Sequence, residues 1–502
     1  MQRIPASRAF TYALVIACLG GVVVTSWIRQ VIARAETEQV IPATVQITTV
    51  TAAPDYAKPW QLEATKTISG SGAIIGGHRI LTNAHNVAWA ASIEVRRPGL
   101  QKKFSAHVVH VDHSCDLALL TVDDSAFFQG VAPLEIGEMP RIESPVAAYG
   151  YPIGGETASA TSGIVSRLEE DTYVHSQRDL LVVQIDAALN PGNSGGPVIG
   201  DGKIVAIAMQ VLEDAENVGY GIPAPMIARF LVDAEDGEIA GVPRMGAYCL
   251  PMENDALRRY LGLGEKRTGS IVADVNYGSS AWGNLQRDDV ILAVDGLPVA
   301  NDCTIQLAGG ARADFSYAIE RKQIGESVVL RIWRSGREQN VSLVLKDYRT
   351  LVSEPSYPRR CRYRIEGGIV FQPVDQHLAE SLEDYIPPAV YKAVVLEETQ
   401  SPERGELVVI TSVLPHAVNR GYEDWVWDIV ESVQGVPVRD FDHFNQLLDE
   451  ADGQWINITL DDASRLVIDR GAARAADEEL LVSFGIPGDR WPISSEGLVA
   501  AR

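Results

Sequence analysis

Three short segments carry residue types that together could perform nucleophilic chemistry: Thr82-Asn83-Ala84-His85, Asp116-Leu117-Ala118-Leu119-Leu120 and Gly192-Asn193-Ser194-Gly195-Gly196-Pro197. A serine hydroxyl is a poor nucleophile at neutral pH. It needs an adjacent base to take its proton, and the base needs a third group to fix its tautomer. Glycines around Ser194 allow a tight backbone turn, His85 can be the base, and Asp116 heads an apolar run as the orienting acid. Taken singly, a glycine-rich serine loop is also a plain turn, and a lone histidine or aspartate is usually structural. The three together, in the order His, Asp, Ser, define one nucleophilic constellation.

The elements that must position them read as short β-strands broken by glycine, from about Val45 to Asp233. Ala73 to Leu81 contains Gly76-Gly77 between apolar runs, a hairpin signal. Similar segments follow at Val108 to Val111, Leu117 to Val122, Val146 to Tyr151, Leu181 to Ile185 and Ile204 to Met209. Many short strands without intervening helices predict an all-β barrel or sandwich pair.

Composition bounds the rest. With 502 residues, 46% apolar and 22% charged, the chain is globular and long enough for about three domains. A net charge of −23 without a long basic block repels phosphate backbones and excludes a nucleic-acid partner. Cys18, Cys115, Cys249, Cys303 and Cys361 are too widely spaced for a disulfide framework or a zinc site. His107, His110 and His113 recur every third residue, which alternates faces in an extended segment, so they read as solvated or packed side chains. No metal or cofactor is expected.

At the start, Arg3 and Arg8 precede an uncharged, mostly apolar run from Ala9 to Ile28, long enough to span a bilayer. A buried core helix and a cleaved signal peptide ending at Ala33-Arg34-Ala35 are the alternatives. The reading adopted is an uncleaved anchor in the inner membrane, with the catalytic and downstream domains in the periplasm or cell exterior.

After Gly241-Val242-Pro243 the pattern changes, and helical text appears from Asn254 to Leu261. A repeat follows: Asp289 to Val299, containing Val294-Asp295-Gly296-Leu297-Pro298-Val299, returns as Asp428 to Val438, containing Val433-Gln434-Gly435-Val436-Pro437-Val438. Strands precede both copies, at Gly269 to Val275 and Glu406 to Val413, so two copies of one fold are expected.

The segments Leu81 to His85, Asp116 to Leu120, Gly150-Tyr151-Pro152-Ile153-Gly154 and Gln184 to Pro197 resemble the Deg/HtrA serine proteases, and the repeated copies resemble PDZ domains. Leu120 to Asp124 and Leu460 to Arg465 are similar to the plant-type Deg branch. The resemblance implies a mainly β chain, a chymotrypsin-like double β-barrel protease followed by two PDZ-like domains. Its expected bounds are a cytoplasmic N-terminus at 1–8, an anchor at 9–28, a linker at 29–44, the protease at 45–238, PDZ-like domains at 241–348 and 360–485, and a tail at 486–502.

It further implies acyl transfer by Ser194, with His85 as base and Asp116 as orienting acid. The backbone N–H groups of Gly192 and Ser194 would form the oxyanion hole. Ala188, six residues before the serine, stands where trypsin-type enzymes place an acid for basic substrates, so small or medium aliphatic side chains are expected in the pocket; Asp186 nearby reads as structural. Asn86 departs from the family, where an apolar residue commonly follows the histidine. Asn193 replaces the aspartate of zymogen-activated relatives, so no proteolytic activation is expected. Arg244-Met245-Gly246-Ala247 occupies the place of the carboxylate-binding loop in the first PDZ copy. Gly367-Gly368-Ile369-Val370 is its counterpart in the second, for which a scaffold role is equally open. Unfolded or damaged exported proteins, C-terminal peptides at the PDZ domains, and a homotrimer or a multiple of it complete the implied partners. A non-enzymatic scaffold is disfavoured by the intact constellation, and an esterase by the missing α/β context.

Overall fold

The computed structural model describes residues 38–492 apart from 154, 156, 212–217, 265, 358–359, 382–385 and 396–397. The expected anchor at 9–28 lies outside the described residues, and among the described residues no helix is long and apolar enough to cross a membrane.

Twelve strands close into two antiparallel barrels of six. The first contains β1 (Thr44–Thr51), β2 (Lys66–Ile75), β3 (Arg79–Thr82), β4 (Ala90–Arg96), β5 (Phe104–Asp112) and β6 (Leu117–Thr121), in the order β1-β2-β3-β6-β5-β4. The second contains β7 (Pro145–Gly150), β8 (Ser159–Tyr173), β9 (Arg178–Ile185), β10 (Pro197–Gly200), β11 (Lys203–Val211) and β12 (Gly219–Pro223), in the order β10-β11-β12-β9-β8-β7. Closure removes the unpaired edges that a short-stranded sheet would expose. Ile47, Ile80, Leu81, Leu117, Leu119 and Leu120 are fully buried within one continuous apolar cluster. The apolar runs at Ala73 to Leu81, Leu117 to Val122, Val146 to Tyr151, Leu181 to Ile185 and Ile204 to Met209 thus become largely inward-facing strands, whereas in the run at Val108 to Val111 on β5 Val108 and Val109 are exposed; Gly76-Gly77 lies in the β2–β3 turn. The long, polar β8 had no apolar signal, because most of its side chains are exposed or half-exposed.

Helix α1 (Ala224–Asp236) starts after Pro223, ends at Gly237 with φ 83°, and buries Met226, Ile227 and Phe230 against the barrels. Its Arg229 reaches Asp112 Oδ2 at 2.6 Å and Asp233 Oδ2 at 3.1 Å. The 112–116 turn is thereby fixed from the helix side.

The first downstream module has the sheet order β13-β14-β15-β19-β20, with β13 (Ala247–Pro251), β14 (Ser270–Val275), β15 (Val290–Val294), β19 (Ser327–Arg334) and β20 (Arg337–Val344). β16 (Leu297–Pro298) pairs with β15, β17 (Thr304–Gln306) pairs with β18 (Arg312–Asp314), and α2 (Asp255–Tyr260) and α3 (Tyr317–Glu320) complete it. The second module pairs β21 (Tyr363–Glu366), β22 (Ile369–Pro373), β23 (Val408–Val413) and β28 (Arg490–Trp491) in one sheet. β24 (Val430–Val433), β25 (Val436–Pro437), β26 (Trp455–Leu460) and β27 (Arg465–Asp469) form the other, with helices α4 (Gln376–Glu380), α5 (Pro388–Val395), α6 (Phe441–Glu450) and α7 (Arg470–Phe484). The repeated dipeptides are two-residue hairpin turns: φ is 47° and 83° at Asp295-Gly296, and 53° and 77° at Gln434-Gly435. Positive φ at both central residues matches the right-handed twist of the strands they join.

Each module docks on a different barrel. Gln323 Nε2 donates to Arg229 O at 3.0 Å, and Ser316 Oγ donates to Glu170 of β8 at 3.3 Å. On the other side, Tyr56 OH donates to Asp375 Oδ2 at 3.1 Å, Gln372 Nε2 donates to Tyr56 O at 2.9 Å, and Trp60 meets Tyr363 edge to face.

Candidate active site

Asp116 ends a 3₁₀ turn (His113–Cys115) whose cap, Asp112, accepts from Ser114 N at 3.0 Å. At φ 55° Asp116 lies in the left-handed region, which a short polar side chain tolerates. Its carbonyl accepts from Ala84 N at 3.1 Å and Asn83 Nδ2 at 3.0 Å. Its carboxylate accepts from His85 N at 2.8 Å and lies 2.8 Å from His85 Nδ1. Asp116 is fully buried, whereas the His85 side chain keeps 32% of its surface exposed, enough to meet a substrate. Burial of the ring works downward, but the Asp116 carboxylate outweighs it and holds His85 above its ordinary pKa. Conversely, burial works Asp116 upward and the adjacent imidazole overcomes it, leaving the acid below its usual range.

Ser194 lies between the barrels. Its carbonyl accepts from Ser71 N at 2.8 Å and from Asn86 Nδ2 at 3.0 Å, so β2 and the histidine loop both hold it. Its Oγ donates to Met209 O at 2.9 Å, and no hydrogen bond joins it to His85. Gly192 has φ 98°, and a Cβ there would meet Tyr151 O at 2.4 Å, so only glycine fits. The Pro191 carbonyl accepts from Ile153 N at 2.8 Å, which turns Gly192 N–H to the opposite side of that peptide plane. Among the described residues neither Gly192 N–H nor Ser194 N–H has an acceptor.

Several participants carried no signal in the sequence or a different one. Ser71 is fully buried; its hydroxyl donates to Gly192 O at 2.7 Å and accepts from Tyr151 N at 2.8 Å. The legible hint was Ser69-Gly70-Ser71-Gly72 inside a strand, where small residues mark a close approach; a Cβ on Gly70 would strike Asn86. Asn86, the departure from the family pattern, also donates to Thr82 Oγ1 at 3.1 Å and so ties the histidine loop to the nucleophile loop. Asp186 accepts from Ile164 N at 2.6 Å, a structural bond. Ala188 is half-buried ahead of the serine loop, and 212–217 lie outside the described residues. Asn193 is buried, with its N–H donated to Asn190 O at 2.9 Å.

An aromatic and imidazole cluster flanks the His85–Asp116 pair. His113 Nδ1 lies 2.8 Å from His175 Nε2, and Tyr357, from the segment between the downstream modules, bonds His175 Nδ1 and O at 2.8 Å each. The Tyr357 ring stacks on His113 and His175 at 4.1 and 4.4 Å, and Trp89 and His377 close the cluster at 4.8 and 4.9 Å from it. Burial pushes His113 down to about 4 and His175 down to about 3. Of the three spaced histidines, His113 joins this cluster, whereas His107 lies 3.8 Å from Asp123.

The two expected carboxylate-binding loops differ. Gly246, at φ 73°, lies so close to Ser279 that a Cβ would stand 2.1 Å from it, and among the described residues Gly246 N–H has no acceptor. In the second loop, Gly367 N–H and Gly368 N–H donate to the Asp477 carboxylate at 2.9 and 2.7 Å. Burial pushes Asp477 up to about 6.

The double barrel with a PDZ module downstream is that of a trypsin-like serine peptidase. A trypsin-like peptidase domain model matches residues 70–207, and a PDZ domain model matches 352–492. The chain is 37% identical to Protease Do-like 2, chloroplastic, of Arabidopsis thaliana, over 89% of its own length and 74% of the relative. It is 34% identical to Protease Do-like 4, mitochondrial, of the same plant, over 89% and 84%. The solved HtrA-type protease AlgW with decapeptide aligns over 64% of this chain and 98% of its own, at 23% identity and TM-score 0.46. The chain belongs to the Deg/Do-like (HtrA-type) serine protease family.

The relatives correct one expectation. Their names place them in chloroplasts and mitochondria, which overturns the inner-membrane, periplasmic location read from residues 1–28. The physical reason is that an apolar run behind a few arginines reports affinity for an apolar phase, and not which compartment's machinery reads it.

Proposed function

We propose that the chain is an endopeptidase that cleaves unfolded or damaged proteins by acyl transfer. His85 takes the proton of Ser194, Ser194 attacks the peptide carbonyl, and Asp116 stabilises the resulting imidazolium. His85 then protonates the leaving amine, and water releases the acyl-enzyme by the same acid–base route. The N–H groups of Gly192 and Ser194 would receive the oxyanion, each such donor contributing about 3 to 4 kcal/mol. What carries the reading is the buried Asp116 carboxylate 2.8 Å from His85 Nδ1, on the flank of a serine loop with two N–H groups that have no acceptor among the described residues. The mechanism requires the Ser194 side chain to rotate away from Met209 O. Ala188 favours Val, Ala, Ile or Leu before the cut.

The first PDZ module senses peptides, since Gly246 keeps an open N–H. The second is a scaffold, since Asp477 fills its loop. A homotrimer or a multiple of it follows from family membership. No zymogen cleavage is needed, because Asn193 cannot form the ion pair that a new amino terminus would require. Replacing Ser194 by alanine is expected to abolish casein cleavage by folded protein, and unchanged turnover would refute the assignment.

A further inference from the structure

The groove between β13 and α3 of the first downstream module is lined by four carboxylates, with Arg244 at its edge. The cavity, about 340 Å³, is bounded on the module side by Gly246, Asp314 and Glu320, and on the barrel side by Glu170 of β8 and Asp179 of β9. Among the described residues none of these four acids makes an ion pair. Glu170 accepts from Ser316 Oγ at 3.3 Å, Asp179 from Thr172 Oγ1 at 2.5 Å, and Asp314 from Ser316 N at 2.8 Å. Glu320 is only 6% exposed, and its Oε2 has no partner. A buried carboxylate oxygen without a donor costs several kcal/mol unless something enters to satisfy it.

Arg244 also lines the groove and the charge of Arg178 acts on Glu320, but both guanidinium groups are bonded to other partners. Arg244 pairs with Glu354 at 2.8 Å, donates to Tyr348 O at 2.7 Å and stacks on the Tyr348 ring. Arg178 donates to Val242 O at 3.1 Å and lies 4.0 Å from Glu354. Burial, then the charge of Glu170, pushes Glu320 up to about 8; burial, then Asp314 and Asp179, pushes Glu170 up to about 7.

Resting on the reading of this groove as a peptide sensor, we infer that it selects chain termini carrying a lysine or arginine close to the end: the terminal carboxylate meets the Gly246 loop while the cationic side chain enters between Glu170 and Glu320. This selectivity differs from the aliphatic preference expected at the cleavage pocket, so the segment sensed and the bond cut would be chemically distinct parts of a substrate.

The test uses the full chain carrying Ser194→Ala, and fluorescein-labelled decapeptides with an apolar free C-terminus. One of the four preceding positions holds Lys, Gln or Glu, and binding is read by anisotropy. Lys at one position should bind at least tenfold tighter than Gln, and Glu weaker than Gln. Glu320→Gln combined with Glu170→Gln should cut the Lys advantage below threefold while the Gln peptide stays within twofold, and either single change should give an intermediate value. Asp123→Asn, at a side chain 94% exposed, should leave the advantage intact. Equal binding of Lys and Gln peptides, or an advantage that survives the double variant, overturns the inference and leaves the sensor reading standing. If no peptide of any charge binds, both fall.

Discussion

Replacing Ser71 by alanine tests how the nucleophile loop is held. The side chain is fully buried, and removing its hydroxyl strips Gly192 O of a donor at 2.7 Å and Tyr151 N–H of an acceptor at 2.8 Å. A buried backbone group left unpaired costs about 1–3 kcal/mol. The loop can relieve both groups by moving, so the loss falls on the ordered arrangement relative to a relaxed one. A net shift of about 2 kcal/mol corresponds to roughly 30-fold in their ratio. On the proposed mechanism Gly192 N–H would receive the oxyanion, so kcat should fall by about 10- to 30-fold while KM changes less than threefold. Steady-state cleavage of a chromogenic peptide, with the active fraction counted by fluorophosphonate labelling, separates this from misfolding. A kcat within twofold of the parent would refute the idea that Ser71 orders the hole.

Three further outcomes are expected. Since Asp116 holds His85 above its ordinary pKa, and only neutral imidazole accepts the serine proton, kcat/KM should rise with pH through a midpoint above about 6.5. An ascending midpoint below 6 in the pH profile would contradict this. Tyr357→Ala should uncover the cluster it stacks on, so NMR titration should find the His113 and His175 pKa values at least one unit above their buried values near 4 and 3; unchanged titration would mean that Tyr357 does not shield them. Mass-spectrometric mapping of product termini should find Val, Ala, Ile or Leu before most cuts, and a majority of Lys or Arg would show that another acid lines the pocket.

Much of the fold was legible because burial writes itself as apolar runs. β6, with its four buried residues Leu117 to Leu120, and the Asp295-Gly296 and Gln434-Gly435 turns were readable on periodicity and turn chemistry. β8 was not, since only three of its fifteen side chains are buried and they follow no apolar period. The His85, Asp116 and Ser194 segments stood out by residue type and order. The members that hold them, Ser71 and Asn86, act through hydrogen bonds that reach backbone atoms 121 and 108 residues away. Such contacts leave no local pattern. The same holds for Tyr357, whose partner His175 lies 182 residues earlier.

Asp477 has a consequence of a different kind. A carboxylate carried on α7 and bound by Gly367 and Gly368 competes with any free chain terminus as a tethered ligand. Short tethers give effective concentrations in the millimolar range, and α7 fixes the group more tightly than a flexible tether would. A peptide at micromolar concentration therefore meets a competitor about a thousandfold more abundant at the loop, whatever its own contacts. The second module can keep the geometry of a peptide receptor and still be silent toward peptides, with its loop contributing rigidity to the face that docks on the first barrel.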